Sequence, residues 1–383
     1  MNAGKAEIRQ KIVVIGHGYT SRLGIIRSLG QEGCEITVLV QTFHSRIGRW
    51  LRFDGGTPID CCSKYVSRVL WCPAESESEM LRILLERCKD PQQKPVLIPD
   101  SDFAVAVVDR HAAELAPYFL FPHCRQKPGA VEALMDKSLQ KELAREAGLS
   151  VADAQVVPAV PETILPEGIV YPCFTKPLET IRGGKTFHRC DDEAALRRAL
   201  GEIADKGGTQ VLVERYVPIA KEYALVGCAD GAGDVCIPAV IAFTEAGQRH
   251  FGIARTGTVL PPDSFSTLLS RFADFVRQTG FSGLFDIDFY ESDGVLYFNE
   301  LNLRFGGSGY AVTKAGVNLP AMYVRTVTGQ AVSALPRAVS HPMTFVNERM
   351  CIDDWSFYYL TETESRDRIA AADIRFVDDP DDP

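Results

Sequence analysis

The sequence has no hydrophobic run that approaches the ~20 residues needed to cross a bilayer, and residues 1–11 are polar. It has no long run of Lys and Arg either, and its 41 basic residues are outnumbered by 50 acidic ones, which gives a formal charge of −9. The lack of a basic patch argues against nucleic acid, whose phosphates demand clustered positive charge. We therefore expect a cytoplasmic protein that binds small molecules, with no membrane partner.

The eleven cysteines are scattered and form no C-x-x-C pair, and the seven histidines form no H-x-x-x-H pair. These absences argue against a structural zinc site and against a disulfide framework. We expect the cysteines to be reduced and to behave as small buried apolar side chains.

The N-terminal region alternates strand-like and helical patterns, which predicts a parallel sheet within about the first 120 residues. Its first turn has Gly16 and Gly18 but places Ser21 at the third glycine position of a dinucleotide-binding fingerprint. No acidic residue follows the second predicted strand, where Gln41 stands. A tight turn that lines another ligand is therefore favoured over an NAD site. Two residues of this turn are left open as substrate contacts: His17 and Arg22.

The middle of the chain predicts short α+β segments and then an antiparallel sheet between 222 and 303. Apolar spacing predicts one helix over 132–147, ended by Gly148 in the left-handed conformation. The other elements predicted before that sheet are strands at 154–158, 173–176 and 210–216, a helix at 192–205 and a glycine loop at 181–186. The last six residues, DDPDDP, cannot build a core, so we expect a frayed, solvated tail.

The hairpin FDIDFYESDGVLYFNELNLR carries the strongest chemical signal. With a three-residue loop at 292–294, strand alternation puts Asp286, Asp288 and Glu300 on one face. Asp288 and Glu300 are then diagonal neighbours with β-carbons roughly 7 Å apart, and Asn302 adds a neutral oxygen. Oxygen ligands of this kind suit Mg²⁺. The alternative is a solvated polar face, but Asp is poorly suited to strands.

Arg304 follows the hairpin, and Gly306, Gly307 and Gly309 come next, where the backbone can approach a ligand. A guanidinium at this place can neutralise a phosphoryl group in transfer. The alternative is a surface arginine paired with an acid.

An acidic residue followed twelve positions later by E-x-N-x-R is the pattern through which this sequence resembles the ATP-grasp enzymes. It is similar in particular to the carbamoyl-phosphate-synthetase-like and D-aspartate-ligase-like carboxylate-amine ligases, from about residue 11 to 335. The resemblance implies an α/β fold of α+β lobes, the ATP-grasp fold, behind an N-terminal Rossmann-like parallel-sheet domain. It implies four regions: an N-terminal domain 1–125, a central lid subdomain 126–212, a C-terminal subdomain with the metal hairpin 213–335, and an extension with an acidic tail 336–383.

The resemblance also implies roles for individual residues. The implied ligands of Mg²⁺ or Mn²⁺ are Asp288, Glu300 and Asn302. The implied ATP-binding residues are Lys137 and Lys176 for the phosphates, Gly183, Gly184 and Lys185 in the lid loop, Glu214, Arg215, Tyr216 and Val217 around adenine, and Glu222 for the ribose. The implied catalytic residues are Arg304, Lys176 and Arg255. Whether Asp286 touches substrate is left open.

The implied activity is ATP-dependent carboxylate-amine ligation through an acyl phosphate, which yields an amide, ADP and phosphate. The implied partners are a small carboxylate and an amine, and a homodimer is expected. One alternative is carbamoyl-phosphate or carboxylation chemistry, in which bicarbonate is phosphorylated. Another is a non-catalytic ATP-binding sensor or subunit, against which the complete set of Asp288, Glu300 and Asn302 argues.

Overall fold

The structure, a computed structural model, describes residues 7–16, 20–42, 58–178, 187–247 and 253–382. The strands, numbered in chain order, are β1 Lys11–Gly16, β2 Glu35–Thr42, β3 Val66–Pro73, β4 Val96–Pro99, β5 His123–Cys124, β6 Ser150–Val151, β7 Ala154–Pro158, β8 Cys173–Pro177, β9 His188–Cys190, β10 Gln210–Arg215, β11 Lys221–Asp230, β12 Val235–Cys236, β13 Val240–Ala246, β14 Ala254–Leu260, β15 Phe281–Ser292, β16 Val295–Asn302, β17 Met343–Val346 and β18 Ile374–Arg375. The helices are α1 Thr20–Gly30, α2 Glu77–Ile83, α3 Asp102–Arg110, α4 Ala112–Leu115, α5 Ala130–Ala133, α6 Lys137–Glu146, α7 Glu193–Asp205, α8 Ser266–Thr279, α9 Gly309–Lys314, α10 Leu319–Val327, α11 Glu348–Ser356 and α12 Glu362–Ala371. Within these ranges no helix has the length and apolar character needed to span a membrane.

The chain divides into two compact units, and both are assembled from separated stretches of sequence. The first unit comprises Met1–Glu132, Tyr223–Ile287 and Asn302–Pro383. The second comprises Ala133–Glu222 and Asp288–Leu301, so that the turn end of the β15–β16 hairpin belongs to it.

In the first unit, the N-terminal strands form a parallel sheet with the order β3-β2-β1-β4. The strands read as continuous apolar runs because helices cover both faces of such a sheet. Buried side chains of β1, β2 and α1, among them Val14, Val38 and Ile25, share one core with α9 and α10. The predicted parallel-sheet domain is confirmed.

The rest of the first unit contains strands in the order β18-β17-β14-β13-β11-β15, in which the pairs from β17 to β11 are antiparallel and β18 is parallel to β17 at the edge. This confirms the predicted antiparallel sheet. The helix before β15 ends at Gly280, whose φ of 67° is the left-handed conformation that favours glycine.

The C-terminal tail is held tightly by the first unit, so the prediction of a frayed tail is wrong. Asp379 and Asp382 are buried, at 1% and 2% exposure. Asp382 pairs with Arg27 of α1 at 2.8 Å, and Asp379 accepts a hydrogen bond from the hydroxyl of Tyr310 on α9. Glu348 at the start of α11 accepts bonds from the backbone amides of residues 376–378. Ion pairs replace the apolar contacts that the tail lacks.

The second unit is built on a four-stranded antiparallel sheet with the order β7-β10-β8-β9. Helix α7 covers it with Leu196, Ala199, Leu200 and Ile203, whose spacing is that of one helical face. Asp192 caps this helix by accepting from the amide of residue 195. A short parallel pair, β6 with β16, completes the unit.

The single helix predicted over 132–147 is in fact two helices, α5 and α6. Asp136 separates them, because its carboxylate accepts hydrogen bonds from the amides of Ser138 and Leu139 and so starts a new helix. Gly148, with φ of 75°, ends α6 as predicted. The break makes Lys137 the first residue of α6.

Candidate active site

Lys137 is positioned by the cap that starts α6. Asp136 fixes the first turn, and the Lys137 ammonium lies 3.0 Å from Oε1 of Glu300 on β16. Both side chains are only partly exposed. The structure thus brings together a lysine expected to bind phosphate and a carboxylate expected to bind the metal.

Lys176 lies near the end of β8 and faces the end of β10. In the strand register Lys176 is opposite Leu212, so Glu214, two residues further along, is a diagonal neighbour on the same face. The Lys176 ammonium is 2.6 Å from Oε2 of Glu214 and donates a 2.7 Å hydrogen bond to Oδ1 of Asn299 on β16. One ammonium group therefore ties β8, β10 and β16 together.

A second lysine, Lys141, pairs with the other carboxylate oxygen of Glu214. Lys141 lies one helical turn after Lys137, and it is 3% exposed while Glu214 is 5% exposed. Burial alone would raise the pKa of Glu214, but the ammonium groups of Lys176 and Lys141 outweigh burial and hold that pKa below its ordinary value. Burial lowers the pKa of Lys141, and the charge of Glu214 only partly opposes this.

Residues 214–217, which are expected to bind adenine, make ion pairs and hydrogen bonds to other parts of the protein. Both oxygens of Glu214 face lysines. The amide of Arg215 donates to the carbonyl of Asp153 at 2.8 Å, and the amide of Tyr216 donates to the carbonyl of Pro172 at 3.0 Å. These bonds anchor the chain after β10, and the half-buried Val217 follows directly. Glu222 at the start of β11 is half-buried too, and burial raises its pKa.

The β15–β16 hairpin turns more tightly than predicted. Its loop is Asp293 and Gly294, with φ of 49° and 77°, and Ser292 belongs to the strand. Positive φ at both central residues is the type I′ turn, which Asp-Gly favours because its twist matches that of the strands. The predicted three-residue loop is therefore wrong.

The alternation of side chains along β16 is interrupted beside Glu300. Phe298 and Leu301 are both buried although they lie three positions apart, while Asn299 and Glu300 between them are both half-buried. Asn299 reaches Lys176 and Glu300 reaches Lys137. Strict alternation would place these neighbours on opposite faces. Sequence reasoning therefore missed Asn299, and its only signal was its position next to Glu300.

The first unit holds the residues from Asn302 onward. The Arg304 guanidinium donates to Oδ1 of Asp102 at 2.9 Å and to Oδ1 of Asn302 at 3.3 Å. Asp102 is the first residue of α3, after the fourth strand of the parallel sheet. The backbone of Gly306 passes Asp286 so closely that a β-carbon there would lie 2.6 Å from the Asp286 carboxyl carbon. Any larger residue at this point of the loop would force the Asp286 carboxylate to shift.

Two arginines singled out in the sequence are buried in ion pairs of the first unit. Arg22, 1% exposed, pairs with Asp60 and donates to the carbonyl of Gly16. Arg255 pairs with Asp354 and lies 3.2 Å from Glu245. These contacts account for the burial of both arginines within the unit. The catalytic role of Arg255 stays a prediction.

Some predicted residues lie outside the described part of the chain. These are His17 and the lid-loop residues Gly183, Gly184 and Lys185. All eleven cysteines fall within the described part as free thiols, and most of them are buried, as predicted. Among the described residues no group of three or more His, Cys, Asp and Glu side chains is placed to hold a metal ion. The predicted metal ligands are two carboxylates and one amide oxygen, so they are not a group of that kind.

Comparison with known proteins identifies a domain that carries most of the predicted site residues, although Lys137 and Lys141 precede the matched range. Residues 142–320 match the ATP-grasp domain. The carbamoyl phosphate synthase large chain of Gemmatimonas aurantiaca is 27% identical over 214 residues, which cover 54% of this chain and 19% of that protein. The D-aspartate ligase of Enterococcus faecium is 25% identical over 264 residues, 63% of this chain and 60% of that protein.

Solved structures extend the likeness in fold. An N5-carboxyaminoimidazole synthetase from Staphylococcus aureus, complexed with ADP, superposes with a TM-score of 0.65 at 18% identity, over 90% of this chain and 83% of that one. The chain spans about a fifth of the length of the carbamoyl phosphate synthase and three fifths of the D-aspartate ligase. The predicted α/β fold of the ATP-grasp type behind a parallel-sheet domain is confirmed. This chain therefore contains an ATP-grasp domain, at residues 142–320.

Proposed function

We propose that this protein is an ATP-dependent carboxylate-amine ligase that forms an acyl phosphate and then an amide, with release of ADP and phosphate. One observation carries the proposal: within the second unit, Lys137 and Lys176 converge on Glu300 and its neighbour Asn299. Phosphoryl transfer needs cationic groups on the phosphates beside oxygen ligands for a metal ion. The naming of relatives as D-aspartate ligase and carbamoyl phosphate synthase supports the same chemistry.

The oxygen atoms of the hairpin fit Mg²⁺, or Mn²⁺, as its ligands. Asp288 and Glu300 supply carboxylates and Asn302 an amide oxygen, and hard divalent cations prefer such oxygen donors. Glu300 and Asn302 already accept from cationic groups, Lys137 and Arg304 respectively, so both oxygens face positive charge. When bound there, the metal ion would neutralise phosphate charge.

The side chains of this protein would bind and orient the reactants. The ammonium groups of Lys137 and Lys176 hold the triphosphate oxygens, and the substrate carboxylate attacks the γ-phosphorus, so that ADP leaves and an acyl phosphate forms. Arg304 lies two residues past Asn302 and balances the charge of the phosphoryl group in transfer. An amine then attacks the acyl carbon and phosphate leaves, with no covalent bond to the protein.

We also propose that residues 214–217 contact adenine, that residue 222 contacts the ribose, and that residues 183–185 form the lid over the phosphates.

Carboxylation or carbamoyl-phosphate chemistry is the second candidate, because several of the curated relatives are carbamoyl phosphate synthases. In that case bicarbonate is the carboxylate that is phosphorylated. A homodimer, a cytoplasmic location and the domain limits at 125, 212 and 335 also remain proposals.

The test is ADP release by purified protein with Mg-ATP, pools of amino acids and small carboxylates, and bicarbonate in a separate reaction. Hydroxylamine trapping reports an acyl phosphate. We expect ADP release that depends on one carboxylate pool. Protein that binds ATP but never releases ADP would refute the ligase and favour a nucleotide sensor, and release with bicarbonate alone would favour the second candidate.

A matched pair of variants tests the metal assignment. Glu300→Gln keeps the size of the side chain but removes a charged ligand, so we expect turnover to be abolished while the fold is retained. The control is Glu202→Gln, an exposed glutamate of α7 in the same unit. Near-normal activity of Glu300→Gln would remove Glu300 from the metal site.

A further inference from the structure

Lys141 has no part in the contacts with the hairpin that Lys137 and Lys176 make. It is nevertheless buried to the same degree as its partner Glu214, which lies between it and Lys176. An ammonium group is costly to bury unless an opposite charge compensates it. A leucine would fill the space without that cost, so the presence of a charge at this position calls for an electrostatic explanation.

The charges of the three side chains provide the explanation. Lys176 and Glu214 alone would cancel, and the ammonium that faces Asn299 would then offer little attraction to an incoming anion. Lys141 adds a second positive charge on the far oxygen of the same carboxylate. The cluster of Lys141, Glu214 and Lys176 then carries a net charge of +1. Because Lys141 and Glu214 are buried, water screens this balance poorly.

We propose that Lys141 is a positioning residue that neutralises Glu214, so that Lys176 is held in place by the carboxylate while the cluster keeps a positive charge for the triphosphate. The proposal rests on the proposed function, since it assigns Lys176 to the phosphates. A purely structural role of Lys141 would affect binding of the phosphates and of the nucleoside alike. The proposed role affects binding of the phosphates and not binding of the nucleoside.

The experiment measures the affinities of Mg-ATP and of adenosine by calorimetry, and the ratio between them isolates the contribution of the phosphates. Lys141→Met keeps the length of the side chain and removes its charge. We expect it to weaken Mg-ATP binding about tenfold while adenosine binding changes little. Lys141→Arg keeps the charge and is expected to retain most of the wild-type ratio.

The double variant Lys141→Met/Glu214→Gln provides the decisive comparison. It removes one charge of each sign and restores a net charge of +1 on Lys176, so the ratio should recover toward the wild-type value. Adenosine serves as the internal reference for any effect that the Glu214→Gln change has on binding of the base.

The outcomes separate this inference from the proposed function. If wild-type protein binds no Mg-ATP, the proposed function fails and the role of Lys141 fails with it. If wild-type protein binds Mg-ATP but Lys141→Met weakens Mg-ATP and adenosine equally, or the double variant shows no recovery, Lys141 only packs and the inference is overturned. If Lys141→Met does not fold, recovery of both folding and the affinity ratio in the double variant still supports the charge balance, and a folded double variant with a low ratio refutes it.

Discussion

Replacing Asp382 by alanine should destabilise the first unit, although the residue is next to last in the chain. The Asp382 carboxylate accepts from Nε of Arg27 at 2.8 Å through one oxygen and from the amide of Lys64 at 2.9 Å through the other. It is 2% exposed. The variant therefore leaves a buried guanidinium and a backbone amide without their carboxylate.

The expected magnitude follows from what remains around Arg27. Its other nitrogens still donate to the carbonyls of Phe376, Val377 and Asp382, at 2.7 to 2.9 Å. Breaking a buried ion pair by removal of one partner costs about 3–5 kcal/mol. Because three carbonyl bonds persist, we expect the free energy of unfolding to fall by about 3 kcal/mol, the low end of that range.

Asp381→Ala is the matched control, since it removes the same side chain one position earlier. The Asp381 carboxylate is 65% exposed and its ion pair with Lys314 is long, at 3.7 Å. Exposed pairs contribute about 0–1 kcal/mol, so urea denaturation followed by circular dichroism should show a small change for this variant. Equal shifts in the two variants, or a wild-type midpoint for Asp382→Ala, would refute the buried clamp.

Three further predictions use other parts of the structure. Burial would raise the pKa of Asp382, but the hydrogen bonds from Arg27, Ser63 and Lys64 together outweigh burial and lower this pKa. The stability difference between wild type and Asp382→Ala should thus hold above the unfolded pKa of about 4 and shrink as the pH falls below it, and a difference that grows in acid would contradict this sign. Gln140→Leu leaves the buried amide of Leu301 without the bond it donates to Gln140 and should cost about 1–3 kcal/mol in unfolding free energy. The control is Gln155→Leu, which removes a solvent-exposed bond from a half-buried side chain to the carbonyl of Glu167 and should cost almost nothing. Lys176→Ala should weaken ATP binding measured by calorimetry, and unchanged affinity would remove its phosphate role.

Local patterns in the sequence predicted the elements of the second unit well. The strands at β7 and β8, and helix α7, were placed to within about one residue, because periodicity and Asp or Gly signals at their ends are properties of neighbouring residues. The predicted antiparallel sheet was right for the same reason. The errors arose where two local signals competed: Asp136 both fits a helical pattern and caps a new helix, and Asp293-Gly294 selects a two-residue turn.

The sequence identified most residues of the candidate site but only part of their arrangement in space. Lys137, Lys176, Glu214 and Glu300 were all singled out, and the structure brings them into two groups of ion pairs. Lys141 was missed because a lysine on an amphipathic helix predicts a solvated face. Its burial depends on Glu214, more than seventy residues away, and no local pattern reports such a pairing.

The acidic tail shows why composition alone misleads at the C-terminus. Residues 351–383 carry ten acidic residues and three arginines, a net charge of −7 out of −9 for the chain, and composition of that kind usually indicates solvated chain. Three of these acids are buried and paired inside the first unit: Asp354 with Arg255, Asp382 with Arg27, and Asp379 with Tyr310 and with Lys314 at 3.2 Å. Both Tyr310 and Lys314 lie on α9, which begins five residues after Arg304. The tail therefore anchors α1 through Arg27 and α9 through Tyr310 and Lys314, so acidic residues that composition assigns to the surface act as buried partners of these helices.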